Sequence, residues 1–326
     1  MENYQITLNP DSQLAILENT PAELVWFENS HSAYTRKTYK DSLKQFCEFL
    51  GISNFEELRK VQSIHVIKFR DWLLDQGKSP ATVNTRLATL SSIFKHLIEQ
   101  QVLKVNPVYG VKRMRKEYRR VKTRKLSVEE IKRFLAGIDD TSTIGARDMA
   151  MFTLFFNLGV RIGTVVKLMG RDIYMEDGYL VMNLPLKGRK REQVAVNQHI
   201  QAALFRYCEK LGYTKEAFGA IVLAIPDDVP LFSQMSSNPK MNDVYAPLTT
   251  RGVHYLWQRY AKKAGIEKSS PHSARVSFAT EASANSCDIK DLQQTLGHSD
   301  IRTTQCYIHA DVNHAKSASF AVSFAR

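Results

Sequence analysis

From residue 34 onward, apolar side chains recur at the interval of a helix. Tyr39, Leu43, Phe46 and Leu50 fall on one face of a segment that Gly51 ends. A second helix is predicted from a cap at Ser63 through Val66, Phe69, Trp72 and Leu73 to Gly77. Ser79 and Pro80 form the cap and first turn of a third, because proline lacks only an N–H that the first turn leaves unbonded anyway. Its stripe is Val83, Leu87, Leu90, Phe94 and Leu97, and the run NPVYGV breaks it. Residues 1–28 have weak periodicity and are read as an N-terminal extension. Residues 29–111 are read as a small all-helical bundle.

The second half opens on LSVEEIKRFLAGI, where Ser127 and Glu130 have the spacing of a capping box. A strongly apolar helix from about Arg147 to Leu158 must be core, and Gly159 breaks it directly before Arg161. The period then changes from helical to alternating. IYMEDGYLVMNLPLKGRKREQVAVN reads as three short antiparallel strands, with turns at Asp177-Gly178 and at 188–190. Residues 198–214 are expected to be helical, 224–247 to be a long polar loop, and 250–264 to be a helix with a basic face that includes Arg251 and Arg259, a candidate for contact with an anionic partner; its His254 is read as structural. Near the end, Ile289, Leu292 and Leu296 mark a helix capped by Asp288 and closed by Gly297, where positive φ costs nothing. Ser299 and Asp300 can cap a further helix from Ile301 to Tyr307. The fold class is therefore mainly α in two domains, the second carrying a small antiparallel three-stranded sheet.

Composition narrows the partner. The 326 residues carry a formal charge of +12, which points to a polyanion, and no apolar run approaches the ~20 residues of a membrane span. The N-terminus lacks the basic start and apolar core of a signal peptide. Cys47, Cys208, Cys287 and Cys306 have neither metal-ligand spacing nor the look of a disulfide framework, so a soluble, cytoplasmic protein is expected. The charge is concentrated: between Lys112 and Lys125 nine basic residues face one acid, a net of +8 out of the +12. This segment, with Lys112, Arg113, Arg115, Lys116, Arg119 and Arg120, is read as an interdomain linker (112–125) strapped over phosphates.

Candidate chemistry gathers in two stretches. In SPHSARVSFAT, His272 and Arg275 stand at i and i+3, hence on one helical face. In LGHSDIRTTQCYIH, His298 and Tyr307 stand nine residues apart on either side of a tight corner. A cation fork, two imidazoles and a phenol suit a site that grips a phosphate and attacks it with tyrosine. Arg161, taken alone, is either paired with a buried carboxylate or aimed at an anion.

HSAR followed by LGHSDIRTTQCY resembles the active-site region of the tyrosine recombinases, the phage integrase family. NLGVRIGTVVKL resembles that family's first-arginine box, giving Arg161, and LKGRKREQVAV its lysine hairpin, giving Lys187. Three positions depart from the usual pattern: Thr164 stands where an acidic residue is usual, Ala274 stands where a leucine is usual before Arg275, and Val276 follows it. The resemblance implies a SAM-like core-binding bundle followed by a catalytic domain over 126–311 and a tail, 312–326, that docks in trans on a neighbouring protomer through residues such as Phe320, Val322 and Phe324. It implies site-specific recombination through a 3′-phosphotyrosyl intermediate, whether for integration, excision, inversion or resolution. Tyr307 would be the nucleophile, Arg161 and Arg275 the phosphate clamp, Lys187 the general acid, His272 an acid/base, and His298 a hydrogen-bond donor to phosphate. Arg36, Lys37, Thr82, Thr85 and Arg86 in the bundle would face DNA. The partner would be duplex DNA with paired inverted half-sites, bound by a dimer per site and a tetramer in synapsis, with a DNA-bending accessory protein as a further candidate. A type IB topoisomerase shares the tyrosine chemistry, but the separate helical domain and the tail favour the recombinase. No cofactor or metal is expected. The sequence offers no acidic cluster for Mg²⁺ and no phosphate loop for ATP, and the histidines lack zinc-ligand spacing.

Overall fold

A computed structural model describes residues 20–29, 33–115, 123–186, 190–217, 220–235 and 243–308. The chain packs as two compact units, residues 1–117 and 118–326. Lys187, Lys116, Arg119, Arg120 and the tail 312–326 lie outside the described residues.

The first unit holds helices α1 (Ala22–Glu28), α2 (Ala33–Leu50), α3 (Phe55–Arg59), α4 (Ser63–Asp75) and α5 (Pro80–Glu99). The apolar stripes meet as expected: Phe46, Val66, Phe69, Leu73, Val83, Leu87, Leu90, Phe94 and Leu97 are fully buried in one core. Ser79 caps α5 by accepting from the Thr82 N–H at 3.2 Å. Two expectations need correction. Residues 22–28 are not part of an extension but a helix whose Trp26 is buried in this core, stacked on Tyr39 at 4.6 Å and bonded to Ser92. Its Glu23 is buried and held by the Arg59 fork at 2.9 and 3.1 Å, which makes its burial tolerable. The α4 cap is Gln62 rather than Ser63; the Gln62 N–H donates to His65 Nδ1 at 2.9 Å.

The expected linker is pinned at both flanks. Met114 exchanges two bonds with the Asn84 side chain, and the Arg113 guanidinium donates to the carbonyls of Asn84 and Leu87. On the other side, the Leu126 N–H donates to Ser277 Oγ at 2.8 Å, and Arg124 pairs with Glu130. Arg113 therefore spends its donors on α5 and is not a free phosphate contact.

The second unit contains α6 (Val128–Ala136), α7 (Thr143–Leu158), the short α8 (Ile162–Val165), strands β1 (Ile173–Glu176), β2 (Tyr179–Pro185) and β3 (Arg191–Ala195), and α9 (Gln198–Lys210). Next come the hairpin β4 (Thr214–Ala217) and β5 (Ala220–Leu223), the pair β6 (Ser233–Gln234) and β7 (Asp243–Pro247), and helices α10 (Thr250–Lys263), α11 (Pro271–Ala284), α12 (Ile289–Leu296) and α13 (Ile301–Tyr307). β1, β2 and β3 form the antiparallel sheet in that order, turned at Asp177 and Gly178, both with positive φ as a two-residue hairpin requires. Helix α7 is the centre of the core: Ala150, Met151, Phe152, Leu154 and Phe155 are fully buried against Phe134, Trp257 and Leu204. The expected loop 224–247 instead holds β6 and β7, and the helical expectation for 198–214 ends at Lys210 because β4 begins at Thr214. Among the described residues no helix is long and apolar enough to cross a membrane.

Candidate active site

Gly159 and Gly297 stop helices α7 and α12 in the left-handed region, at φ +61° and +60°, and each stop exposes carbonyls that cations can use. Arg275, on the inner face of α11, is only 2% exposed. Its guanidinium donates to the Gly159 carbonyl at 2.6 Å, to the Leu296 carbonyl at 2.5 Å and to His298 Nε2 at 2.8 Å. Its Nε is buried without a partner. Arg161, the residue ahead of α8, reaches the same corner, donating to the carbonyls of Leu296 at 3.1 Å and Gly297 at 3.3 Å. Neither arginine forms an ion pair with a carboxylate among the described residues; both are held by backbone carbonyls. Burial and the neighbouring Arg161 pull the Arg275 pKa down to about 9, so it remains charged at neutral pH.

Tyr307 closes α13 and lies over this corner. Its hydroxyl is hydrogen-bonded to His272 Nε2 at 2.9 Å, its ring stands 5.0 Å from that of His298, and the Arg275 guanidinium lies 5.5 Å from the ring centre. Burial, then Arg275 and Arg161, hold His272 below the usual histidine range. It is therefore neutral at pH 7 and free to accept the phenolic proton. The same three influences, with His272 added, push His298 down to about 3. His298 Nδ1 meets Thr304 Oγ1 at 3.0 Å, and both residues are buried. Packing of Leu292 and Leu296 on Ala279 fixes α12 against α11, which sets this geometry. A shallow cavity of about 720 Å³ opens beside His298, lined by Lys290, Gln293, Gln294 and Asp300 among others.

The structure thus brings Arg161, His272, Arg275, His298 and Tyr307 together; Lys187 lies in the undescribed residues 187–189. Its hairpin base is described: Thr164 is buried and donates to the Pro185 carbonyl at the end of β2 at 3.0 Å. Thr164 therefore supports the lysine hairpin rather than the Arg161 side chain. Sequence reasoning missed Thr304, although its place three residues before Tyr307 puts it on the same helical face. It also missed the carbonyl acceptors, for which the only signal was the glycine at each helix stop.

The sequence profile of the phage integrase family matches residues 124–314, and that of the phage integrase N-terminal SAM-like domain matches residues 22–101. The chain belongs to the phage integrase family. It is a tyrosine-type site-specific recombinase, an enzyme that breaks and rejoins DNA strands through a phosphotyrosyl intermediate. The SAM-like match begins at Ala22, where α1 joins the bundle core. Tyrosine recombinase XerC of Thermodesulfovibrio yellowstonii is 28% identical over 290 residues, covering 88% of this chain and 89% of that protein. Tyrosine recombinase XerD of Listeria innocua is 27% identical, covering 86% and 90%. In fold, the chain is similar to the XerH site-specific recombinase bound to palindromic difH substrate (TM-score 0.65, 22% identity, covering 88% and 79%). It is also similar to the Tn1549 transposon integrase in complex with transposon right-end DNA (TM-score 0.63, 17% identity, covering 92% and 97%).

The family's DNA-facing candidates are placed unevenly. Arg36, Lys37, Thr85, Lys112, Arg115 and Arg251 are exposed, and Thr82 is half-buried at the α5 cap. Arg36 lies 3.7 Å from Glu28. Arg86 is tied to Ser42 at 2.7 Å, which joins α5 to α2. Arg259, counted on the basic face of α10, instead donates to the buried Asp148 at 3.2 Å and to the Tyr260 hydroxyl at 2.6 Å. Asp148 also holds Arg147 at 2.6 Å, so Arg259 adds a half-exposed cation to a pair that is itself buried. His254, expected to be structural, is exposed.

Proposed function

We propose that Tyr307 attacks the scissile phosphate and becomes linked to the 3′ end of the cut strand. His272 Nε2, already 2.9 Å from the phenol, takes the departing proton. Arg161 and Arg275 hold the non-bridging oxygens and stabilise the charge that grows in the pentacoordinate state. His298 donates through Nε2 to one of those oxygens. Lys187 protonates the leaving 5′ oxygen, a poor leaving group without an acid. Tyr307 is released when a 5′ hydroxyl attacks in return, so bond energy is conserved and no metal or nucleotide is needed. The substrate is duplex DNA with paired inverted half-sites, bound by a dimer at each site and a tetramer in synapsis, with a DNA-bending protein assisting. The enzyme works in the cytoplasm, and the tail 312–326 docks on a neighbouring protomer. On the basic linker, Lys112, Arg115, Lys116, Arg119 and Arg120 follow phosphates, and Arg36, Lys37, Thr82, Thr85, Arg86 and Arg251 contribute further contacts.

The observation that carries this reading is the buried Arg275, paired with no carboxylate among the described residues and with an unbonded Nε, 5.5 Å from the ring of a tyrosine whose hydroxyl is held by a neutral histidine. The test is a nicked suicide duplex bearing the inverted half-sites found in the DNA flanking the gene. A denaturant-resistant protein–DNA adduct should form in chelator, and Tyr307→Phe should abolish it. An adduct that persists in the Phe variant would place the nucleophile elsewhere.

A further inference from the structure

We infer that Thr304 is a positioning residue that lets His298 exchange tautomers when phosphate enters the site. This rests on the reading of His298 as a phosphate ligand and adds how it becomes one. The Arg275 guanidinium has only N–H donors, so its 2.8 Å contact makes His298 Nε2 an acceptor in the free enzyme. The imidazole proton is then on Nδ1, donated to Thr304 Oγ1 at 3.0 Å. In that state His298 has nothing to give a phosphate oxygen, because its site-facing nitrogen carries a lone pair. Forming the imidazolium is closed at neutral pH, since burial and the arginines hold the His298 pKa at about 3.

The remaining route keeps the ring neutral. Arg275 turns its N–H to the phosphate; during a transient opening of α13 that admits water, Nδ1 gives its proton to water and Nε2 takes one back, with no net change in charge. Nδ1 then carries a lone pair in a buried position and needs a donor. Thr304 is 0% exposed, so once the site has closed no water serves there. A hydroxyl can accept in one state and donate in the other by rotating about Cβ–Oγ, a property that neither an amide N–H nor a carbonyl has. Threonine at this position thus supports both tautomers, and the cost of an unsatisfied buried nitrogen is avoided in each.

The test uses the full chain labelled with ¹⁵N-histidine, whose ring nitrogen shifts report the tautomer directly. His298 is identified by the signals absent from His298→Gln. In the free protein Nδ1 should be protonated and Nε2 should show the lone-pair shift; titration with inorganic phosphate should reverse the two. Thr304→Ser should reverse in the same way. Thr304→Val should lose the reversal and bind phosphate roughly tenfold more weakly. Thr304→Ala removes the hydroxyl without added bulk and should match Val, which keeps the test open if the valine disturbs packing. If the wild-type His298 signals do not respond to phosphate, the phosphate-ligand reading fails and the inference fails with it. If they reverse in Val and Ala as they do in wild type, Thr304 does not govern the tautomer and only the inference is overturned.

Discussion

Gly159→Ala probes whether the left-handed stop of α7 sets the active-site arginine. At φ +61° an L-residue costs about 1–2 kcal/mol relative to glycine, offset by about 0.4–1 kcal/mol from the stiffer unfolded chain. The added Cβ would lie 2.5 Å from Phe278 Cδ1 and 3.1 Å from both Phe278 Cγ and Leu296 Cδ2. Those atoms belong to the packing of α11 and α12, so relieving the overlap should cost a further ~1–3 kcal/mol. The expected net loss is roughly 1–5 kcal/mol. Urea unfolding followed by Trp257 fluorescence, in a Trp26→Phe/Trp72→Phe background, reads the second unit alone. The Gly159 carbonyl also accepts from Arg275 at 2.6 Å, so covalent adduct formation should fall more than the stability loss accounts for under folded conditions, with duplex binding retained. Gly297→Ala is the comparison: it carries the same backbone cost, but the atoms nearest its Cβ belong to the Leu186 side chain, at 2.7 and 2.8 Å, whose end can swing away. A Gly159→Ala protein as stable as wild type to within about 0.5 kcal/mol, with normal cleavage, would refute this account of the helix stop.

Two further predictions concern charge. Because the His298 pKa falls from 6.5 to about 3 on folding, the unfolded chain takes up a proton below pH 6.5 that the native state refuses. The contribution is therefore complete above pH 6.5 and is lost toward pH 3, at about 1.4 kcal/mol per pH unit; urea midpoints of wild type and His298→Gln should converge as pH falls from 6 to 4, and parallel curves would contradict it. On the linker, replacing Lys112, Arg115 and Lys116 with Gln should flatten the log–log salt dependence of DNA binding by about 0.9 per lost contact, whereas Arg113→Gln should destabilise the bundle instead; an unchanged slope in the triple variant would demote the segment to a tether.

Most of the helical architecture was legible because caps and stripes agree. Ser79, Ser127 and Asp288 each bond the N–H their position demands, and each stripe is buried. The misses have physical causes. Helices α1 and α3 are too short to show a period, and Glu23 interrupts the apolar pattern of α1 because its partner, Arg59, is far off in sequence. β6 has two residues and a shifted register, so its pairing with β7 depends on a distant partner rather than on alternation. The site's side chains were legible through their spacing and family resemblance. What they bond to was not, since most of the acceptors are backbone carbonyls, which leave no trace in residue identity. Arg259 shows the converse: a cation on an exposed helix face is claimed by Asp148, a residue 111 positions away.

The Leu296 carbonyl accepts from both Arg161 and Arg275. One peptide plane is therefore a shared hinge pin for two cations that come from separate elements, and the next residues lead directly to His298. A tilt of that plane takes one bond from each arginine at once, leaving Arg275 on the Gly159 carbonyl and His298 and leaving Arg161 on the Gly297 carbonyl. The two cations should accordingly loosen together, and anything that pulls on the end of α12 acts on both at once.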